Sequence, residues 1–291
     1  MYSIIAKHRI LSLHILVLIL GLTGVLGKLI TLEAIHLVWW RMLIAFVGLA
    51  IFLAVKKELF KIKKRDFLNI LGIGVIVTLH WLCFFQSIKV SNVSIAVVCL
   101  ATSSLFAALI EPLFFKRKIS LHEIIMGIIV IIALAYILGT DKTFLSGYIY
   151  GILAAFLGTL FTLFNAKYIK KIGAAKITMI EMLAGVLIIS SIFIINQDFS
   201  VFNTKIGTND LIYLIILGII CTAMVFVWMT EIVRYITPYS LIMAINLEPI
   251  YSILFALIIF GDSELMNTSF YIGSSVIILV IFLESYIKNK Y

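Results

Sequence analysis

The chain has 291 residues, of which 63% are hydrophobic and 13% charged, with a mean hydropathy of +1.20, and this excludes a soluble domain with an ordinary polar surface. Its formal charge of +9 does not mark a nucleic-acid binder, because the basic residues fall between apolar runs instead of forming one binding stripe. Only helical bundles and closed barrels satisfy every backbone polar group in a bilayer, and long unbroken apolar runs without period-two alternation select helices.

Taken in order, runs long enough to cross about 30 Å of hydrocarbon fall near 10–29, 34–55, 67–88, 93–115 and 121–139. After a break at Gly139-Thr140-Asp141-Lys142 they recur near 147–168, 174–195, 210–233, 238–260 and 268–287. The sequence therefore predicts an all-α integral membrane protein with ten transmembrane helices. The first run carries Gly21, Gly24 and Gly27 without a clear small-residue cleavage site and is expected to stay in the mature chain.

Lysine and arginine set the orientation, since cytoplasmic loops retain positive charge. With the N-terminus inside, the inner segments hold 18 basic residues, including Lys7, Lys61, Lys64, Arg117, Lys171 and Arg234. The outer ones hold four: Lys28, Lys89, Lys142 and Lys205. This predicts a multi-pass protein of the cytoplasmic membrane with both termini in the cytoplasm. Five helices is an odd number, so a second set of five enters from the opposite side; two inverted five-helix repeats are expected, over 1–139 and 140–291. Arg41-Met42-Leu43 is echoed by Glu181-Met182-Leu183, and 90–95 by 236–241 at an offset of 146, which also pairs Gly127 with Gly273.

Charged and polar residues inside these runs are the candidates for function, because each costs free energy in hydrocarbon, roughly 2.5 to 3.5 kcal/mol for arginine at a helix centre. Arg41 and Glu181 lie about 10 Å from opposite faces, counted at about 1.5 Å per residue, so they are expected at mirrored depths without a direct salt bridge. Glu248 falls near the bilayer centre, with Asn246 beside it and Pro249 freeing the Ile245 carbonyl; a buried carboxyl at such a break suits proton coupling. A glutamic acid hydrogen-bonded across a helix contact is the alternative there. His80 is either a cavity histidine or a packed one. Trp81 beside it and Trp228 near Glu231 are candidates to stack on a flat or cationic substrate, with packing as the other reading. Glu111 and Glu231 lie near the inner ends and are expected to pair with Lys116 and Arg234. Trp39, Trp40, Tyr136, Tyr148 and Tyr150 fit an interfacial belt. Gly21, Gly24, Gly27, Gly147 and Gly151 favour close helix approach. Cys83, Cys99 and Cys221 stand singly in apolar runs without metal-binding spacing, and no metal or cofactor is expected.

In these landmarks the chain resembles the drug/metabolite transporter superfamily, specifically its EamA-type members, over nearly its whole length. They are the glycine-rich first helix leading to Lys28, Arg41, the turn through Lys89-Val90-Ser91-Asn92, then Arg234-Tyr235-Ile236-Thr237-Pro238, Leu247-Glu248-Pro249 and Phe260-Gly261-Asp262. The fourth helix departs from the commoner pattern, with Glu111-Pro112 inside it and Lys116-Arg117-Lys118 after it. The resemblance implies a ten-helix carrier, two EamA repeats working by alternating access. The expected function is secondary transport, with export the favoured direction, of a small organic metabolite such as an amino acid or drug-like compound, with protons as a candidate coupling ion. The alternative is a membrane-embedded enzyme acting on a lipid or peptide, but the sequence contains no HExxH, DDxxD or GxSxG constellation, nor a GxxxxGK[ST] nucleotide loop.

Overall fold

A computed structural model describes residues 9–58, 62–140, 142–198, 200–203 and 206–290. Lys7, Lys61 and Lys205 of the charge pattern, and Asp141 of the central break, lie outside these residues. Among the described residues there is no strand. The helices are α1 (Arg9–Leu29), α2 (Ala34–Val55), α3 (Lys64–Val90), α4 (Val93–Phe115), α5 (Leu121–Thr140), α6 (Leu145–Tyr168), α7 (Ala174–Ile195), α8 (Thr208–Ile232), α9 (Pro238–Glu264) and α10 (Thr268–Lys290). A single turn, Ser200–Asn203, joins α7 to α8. Eight of the ten are long and apolar enough to cross a membrane, while α5 and α10 contribute shorter apolar stretches, Leu121–Ile137 and Thr268–Val280. The predicted order of helices is the observed one.

The two halves reuse the same local structure. Helices α2 and α7 are both 22 residues long and start 140 positions apart, which places Arg41 and Glu181 at the same register. Both end in the same cap: Lys57 and Gln197 adopt left-handed φ of 53° and 54°. The following amides, of Glu58 and Asp198, return to Leu53 and Phe193. This is a Schellman closure built without glycine. Helices α4 and α9 are each split into an 8-residue and a 13-residue piece, at Ala101-Thr102 and at Asn246-Leu247. These pieces correspond at an offset of 145, so Glu248 is the mate of Ser103; the offset of 146 read from the sequence is one residue too long for this pair of helices.

The breaks are stabilised by different chemistry. In α9, Pro249 has no amide to donate, and Leu247 and Ile250 bond only three residues back, to Ala244 and Leu247. In α4 there is no proline at the break; the Thr102 and Ser104 hydroxyls donate instead to the carbonyls of Cys99 and Ala101. Each first piece is capped by a side chain, Asn92 accepting from the Ile95 amide and Thr237 from that of Ser240.

Contacts between the halves also come in mates. α2 packs on α7, α4 on α9 and α5 on α10; α3–α6 is matched by α8–α1, α3–α7 by α8–α2, and α1–α9 by α6–α4. The expected glycine approaches are present: a Cβ on Gly151 would lie 2.6 Å from that of Cys99, and one on Gly24 would lie 3.0 Å from Val93. The interfacial belt needs correction at two positions. Trp39 is buried and donates to Ser190 at 2.9 Å across α2 and α7, and Tyr148 is also buried, whereas Tyr136 and Tyr150 are exposed. The depth of Trp39 and Tyr148 along their helices was legible, but not the side each turns toward its neighbours.

Candidate functional site

A cavity with about 690 Å³ of space not filled by atoms lies where the two breaks meet. From the first half come Thr23 of α1, Arg41 of α2, His80, Trp81 and Phe84 of α3, and Ser103 at the α4 break. From the second come Gly158, Phe161 and Thr162 of α6, Phe226 and Met229 of α8, and Asn246 and Glu248 at the α9 break. Five of the seven candidates read from the sequence, Arg41, His80, Trp81, Asn246 and Glu248, share this one wall.

Arg41 is 1% exposed. Its Nε donates to the Thr222 hydroxyl at 2.6 Å, and its guanidinium lies 3.8 Å from the centre of the Trp81 ring and 5.3 Å from that of Phe85. Thr222 can receive this bond because residues Ile216–Met224 of α8 form a π-helical stretch, in which its own hydroxyl proton reaches back five residues to the Leu217 carbonyl. Nη1 of Arg41 has no protein partner. Glu248 shares the cavity, and no ion pair within 4.0 Å joins the two charges among the described residues. A cation and a carboxyl thus border one space without neutralising each other directly.

The neighbouring polar groups have fixed roles. Nδ1 of His80 lies 2.7 Å from the Ala154 carbonyl, which can only accept, so Nδ1 carries the proton and Nε2 of the neutral ring is an acceptor. Asn246 accepts from Ser103 at 3.1 Å, one break bonding to the other, and its Nδ2 is left without a partner. Trp81 offers less to a ligand than the sequence suggests, because one ring face is occupied by Arg41 and Phe226 meets it edge-on at 4.8 Å. The aromatic walls are otherwise Phe84, Phe161 and Phe226.

Trp228 and Glu181 are not brought to this cavity. Trp228 is half-buried, with Nε1 unpartnered. Glu181 is fully buried, and its carboxyl faces the Asn165 side chain of α6 without a hydrogen bond of ordinary geometry. As expected, Arg41 and Glu181 are not partners. Near the other helix ends, Glu231 pairs with Arg234 at 3.1 Å as expected, but Glu111 pairs with Arg117 instead of Lys116. Lys116 takes a left-handed φ of 52° that ends α4. Arg117 also contacts Glu123 at 2.6 Å; burial works against its charge, but the two carboxylates hold its pKa above the ordinary value. The three cysteines are free and buried.

At one end of the helix bundle, bonds tie the two halves together. Glu264, at the end of α9, accepts from Lys28 at 2.9 Å and from the Val93 amide at 3.1 Å through one oxygen. Through the other it accepts from the amide and hydroxyl of Ser94, at 3.2 and 2.9 Å. A carboxylate at the N-terminus of α4 is stabilised by the helix dipole as well as by these donors. Asp210, opening α8, accepts from the amide and hydroxyl of Thr31. At the opposite end the cross-half ion pair is Lys171 with Asp66, whose lysine is 56% exposed. Thr222, Phe226 and Glu264 were not singled out from the sequence, and Ser103 only within the repeat, where Thr102-Ser103 pairs with Glu248-Pro249 at an offset of 146.

The sequence model described as the EamA-like transporter family matches residues 9–139 and again 145–286. The uncharacterized transporter YxxF of Bacillus subtilis (strain 168) is 25% identical over 258 residues, covering 85% of this chain and 81% of that protein. An uncharacterized transporter of Haemophilus influenzae (strain ATCC 51907 / DSM 11121 / KW20 / Rd) is 36% identical over 94 residues, 32% of this chain and 31% of that protein. A solved crystal structure superposes with a TM-score of 0.69 at 12% identity, over 94% of this chain and 96% of that one, a likeness of fold.

Proposed function

This chain belongs to the EamA-like transporter family, and from that premise we propose that it is a secondary carrier that moves a small zwitterionic metabolite, such as an amino acid with an apolar side chain, by alternating access. The observation that supports this reading is the cavity itself, bordered by Arg41 and Glu248 with apolar aromatic walls between helices of both halves. Arg41 would take the carboxylate of the substrate, with Nη1 as the free donor, and Glu248 its ammonium group. Asn246 and His80 add a donor and an acceptor, and Phe84, Phe161 and Phe226 would receive the side chain.

In this proposal the repeats run over 1–139 and 140–291 in opposite orientation, and the protein sits in the cytoplasmic membrane with both termini inside. Lys28, Glu264, Thr31 and Asp210 would then lie at the outer face, and their bonds support reading this conformation as closed to the outside. Export is the favoured direction, with Glu248 as the group through which a proton gradient would be coupled. The test is counterflow in liposomes with a panel of amino acids, amines, carboxylates and sugars. Accelerated exchange of zwitterions that is lost in Arg41→Ala is the expected result; exchange of none of the panel, or full exchange in Arg41→Ala, sinks the reading.

A further inference from the structure

Beside the large cavity is a smaller one of about 170 Å³ not filled by atoms, lined by Asn165, Thr230, Val233 and Leu241, and by Phe161, Thr162 and Met229, which border both spaces. Around it and behind it lie five buried oxygens that make no hydrogen bond of ordinary geometry: Oδ1 of Asn165, Oγ1 of Thr230, Oγ1 of Thr178 and both carboxyl oxygens of Glu181, for which the Asn165 side chain is the nearest donor. Glu181 faces Asn165, and Thr178 stands one turn before Glu181 on the same side of α7. The last turns of α8, which carry Thr230, pack on both α6 and α7.

The two hydroxyls are informative by contrast. Three buried threonines elsewhere in the helices bond back to their own helix, Thr78 to Gly74, Thr159 to Ala155 and Thr162 to Gly158, while Ser87 and Ser252 bond to a neighbouring helix and Thr23 and Ser274 make no hydrogen bond of ordinary geometry. That local bond is the cheapest way to satisfy a threonine in hydrocarbon. Thr178 and Thr230 do not make it. Buried lone pairs without donors cost roughly 1 to 3 kcal/mol each, so several gathered in one place mark a site for something that accepts from all of them. A proton answers one or two lone pairs; a small hard cation answers them together, and one carboxylate matches one positive charge.

We propose that Glu181, Asn165, Thr178 and Thr230 form a binding site for a dehydrated sodium ion, and that this ion is coupled to the substrate. The coupling part rests on the carrier reading above; the binding part does not. Phe161, Thr162 and Met229 form a shared wall, so the occupant of one space changes the shape of the other, and the effect is reciprocal.

The test reads ion binding without any substrate. Purified protein is unfolded thermally at fixed pH and ionic strength in sodium, potassium or choline chloride, with a second series in choline chloride over a range of pH. The expected result is a saturable rise in midpoint with sodium, small or absent with potassium, and lost in Glu181→Gln. Thr178→Val and Thr230→Val, which keep side-chain volume and remove one oxygen each, are expected to weaken the half-saturating sodium concentration about tenfold. They also serve if Glu181→Gln does not fold. No sodium-specific shift, or a sodium shift unchanged in these variants, overturns the site. A rise with pH change in place of sodium assigns the carboxyl to a proton and overturns it equally. A sodium shift in protein that exchanges no substrate would leave the site standing and remove the carrier reading alone.

Discussion

The Arg41 guanidinium lies over the Trp81 ring, 3.8 Å from its centre, with its Nε held by Thr222, so this cation of the cavity is aimed by an aromatic ring and a hydroxyl instead of by an acid. Its charge is stabilised in place but not cancelled, and Nη1 has no protein partner. Arg41→Lys keeps the charge and loses the guanidinium's contact with the Trp81 ring and the Nε bond. We expect substrate affinity to fall roughly tenfold or more, since a desolvated cation–π contact contributes about 2 kcal/mol. Counterflow half-saturation checks it; a lysine variant with unchanged affinity would show that charge alone suffices.

Glu248→Gln is nearly isosteric and removes the carboxyl group that shares the cavity with Arg41. If the ammonium group of a zwitterion binds there, exchange of zwitterions should drop at least about tenfold while a matched carboxylate lacking the amine is affected little, because leaving one partner of a buried pair alone costs roughly 2 to 5 kcal/mol. Equal losses for both compounds would mean that Glu248 does not contact the amine.

Glu264 joins the end of α9 to Lys28 and to the N-terminus of α4 through four bonds. Glu264→Gln weakens the ion pair and leaves a poorer acceptor for the Val93 and Ser94 amides. The tie at that end should loosen by a few kcal/mol, roughly 3 for a buried pair broken on one side. A cysteine at Thr23, on the cavity wall, should then react faster with a membrane-impermeant thiol reagent added from the Lys28 side, after subtraction of the native cysteines. An unchanged rate would remove Glu264 from the closure.

A Cβ on Gly151 meets that of Cys99 at 2.6 Å, a distance that neither backbone can absorb without α4 and α6 separating. Gly151→Val is expected to destabilise the protein by roughly 1 to 3 kcal/mol, read as a lower unfolding midpoint in detergent. Gly139→Ala, where an added Cβ meets nothing within 4 Å, is the control.

The helices and their order could be read from the sequence because apolar length is a local property, summed over some twenty residues. Arg41, Glu248 and Asn246 could be read for the same reason, since each stands out against the run that holds it. Sequence spacing gave no access to what depends on rotation about a helix axis. Trp228 turns away from the cavity and Glu181 turns toward Asn165, and neither direction follows from the position of the residue along its helix. Thr222 was hidden more deeply: it reaches Arg41 through a π-helical stretch, and nothing in Ile216–Met224 marks one. The break in α4 was missed because hydroxyls stabilise it in place of a proline.

Helices α2 and α7 are twins in length, in closing turn and in register, and differ at their eighth residue by a full reversal of charge. In a carrier that alternates by exchanging the conformations of its halves, each conformation would place Arg41 in surroundings of the kind its twin now has, and Glu181 the reverse. The two resting states cannot then be equal in energy, however symmetric the scaffold. One position on each of two matched helices would set which side of the membrane the unloaded protein waits on.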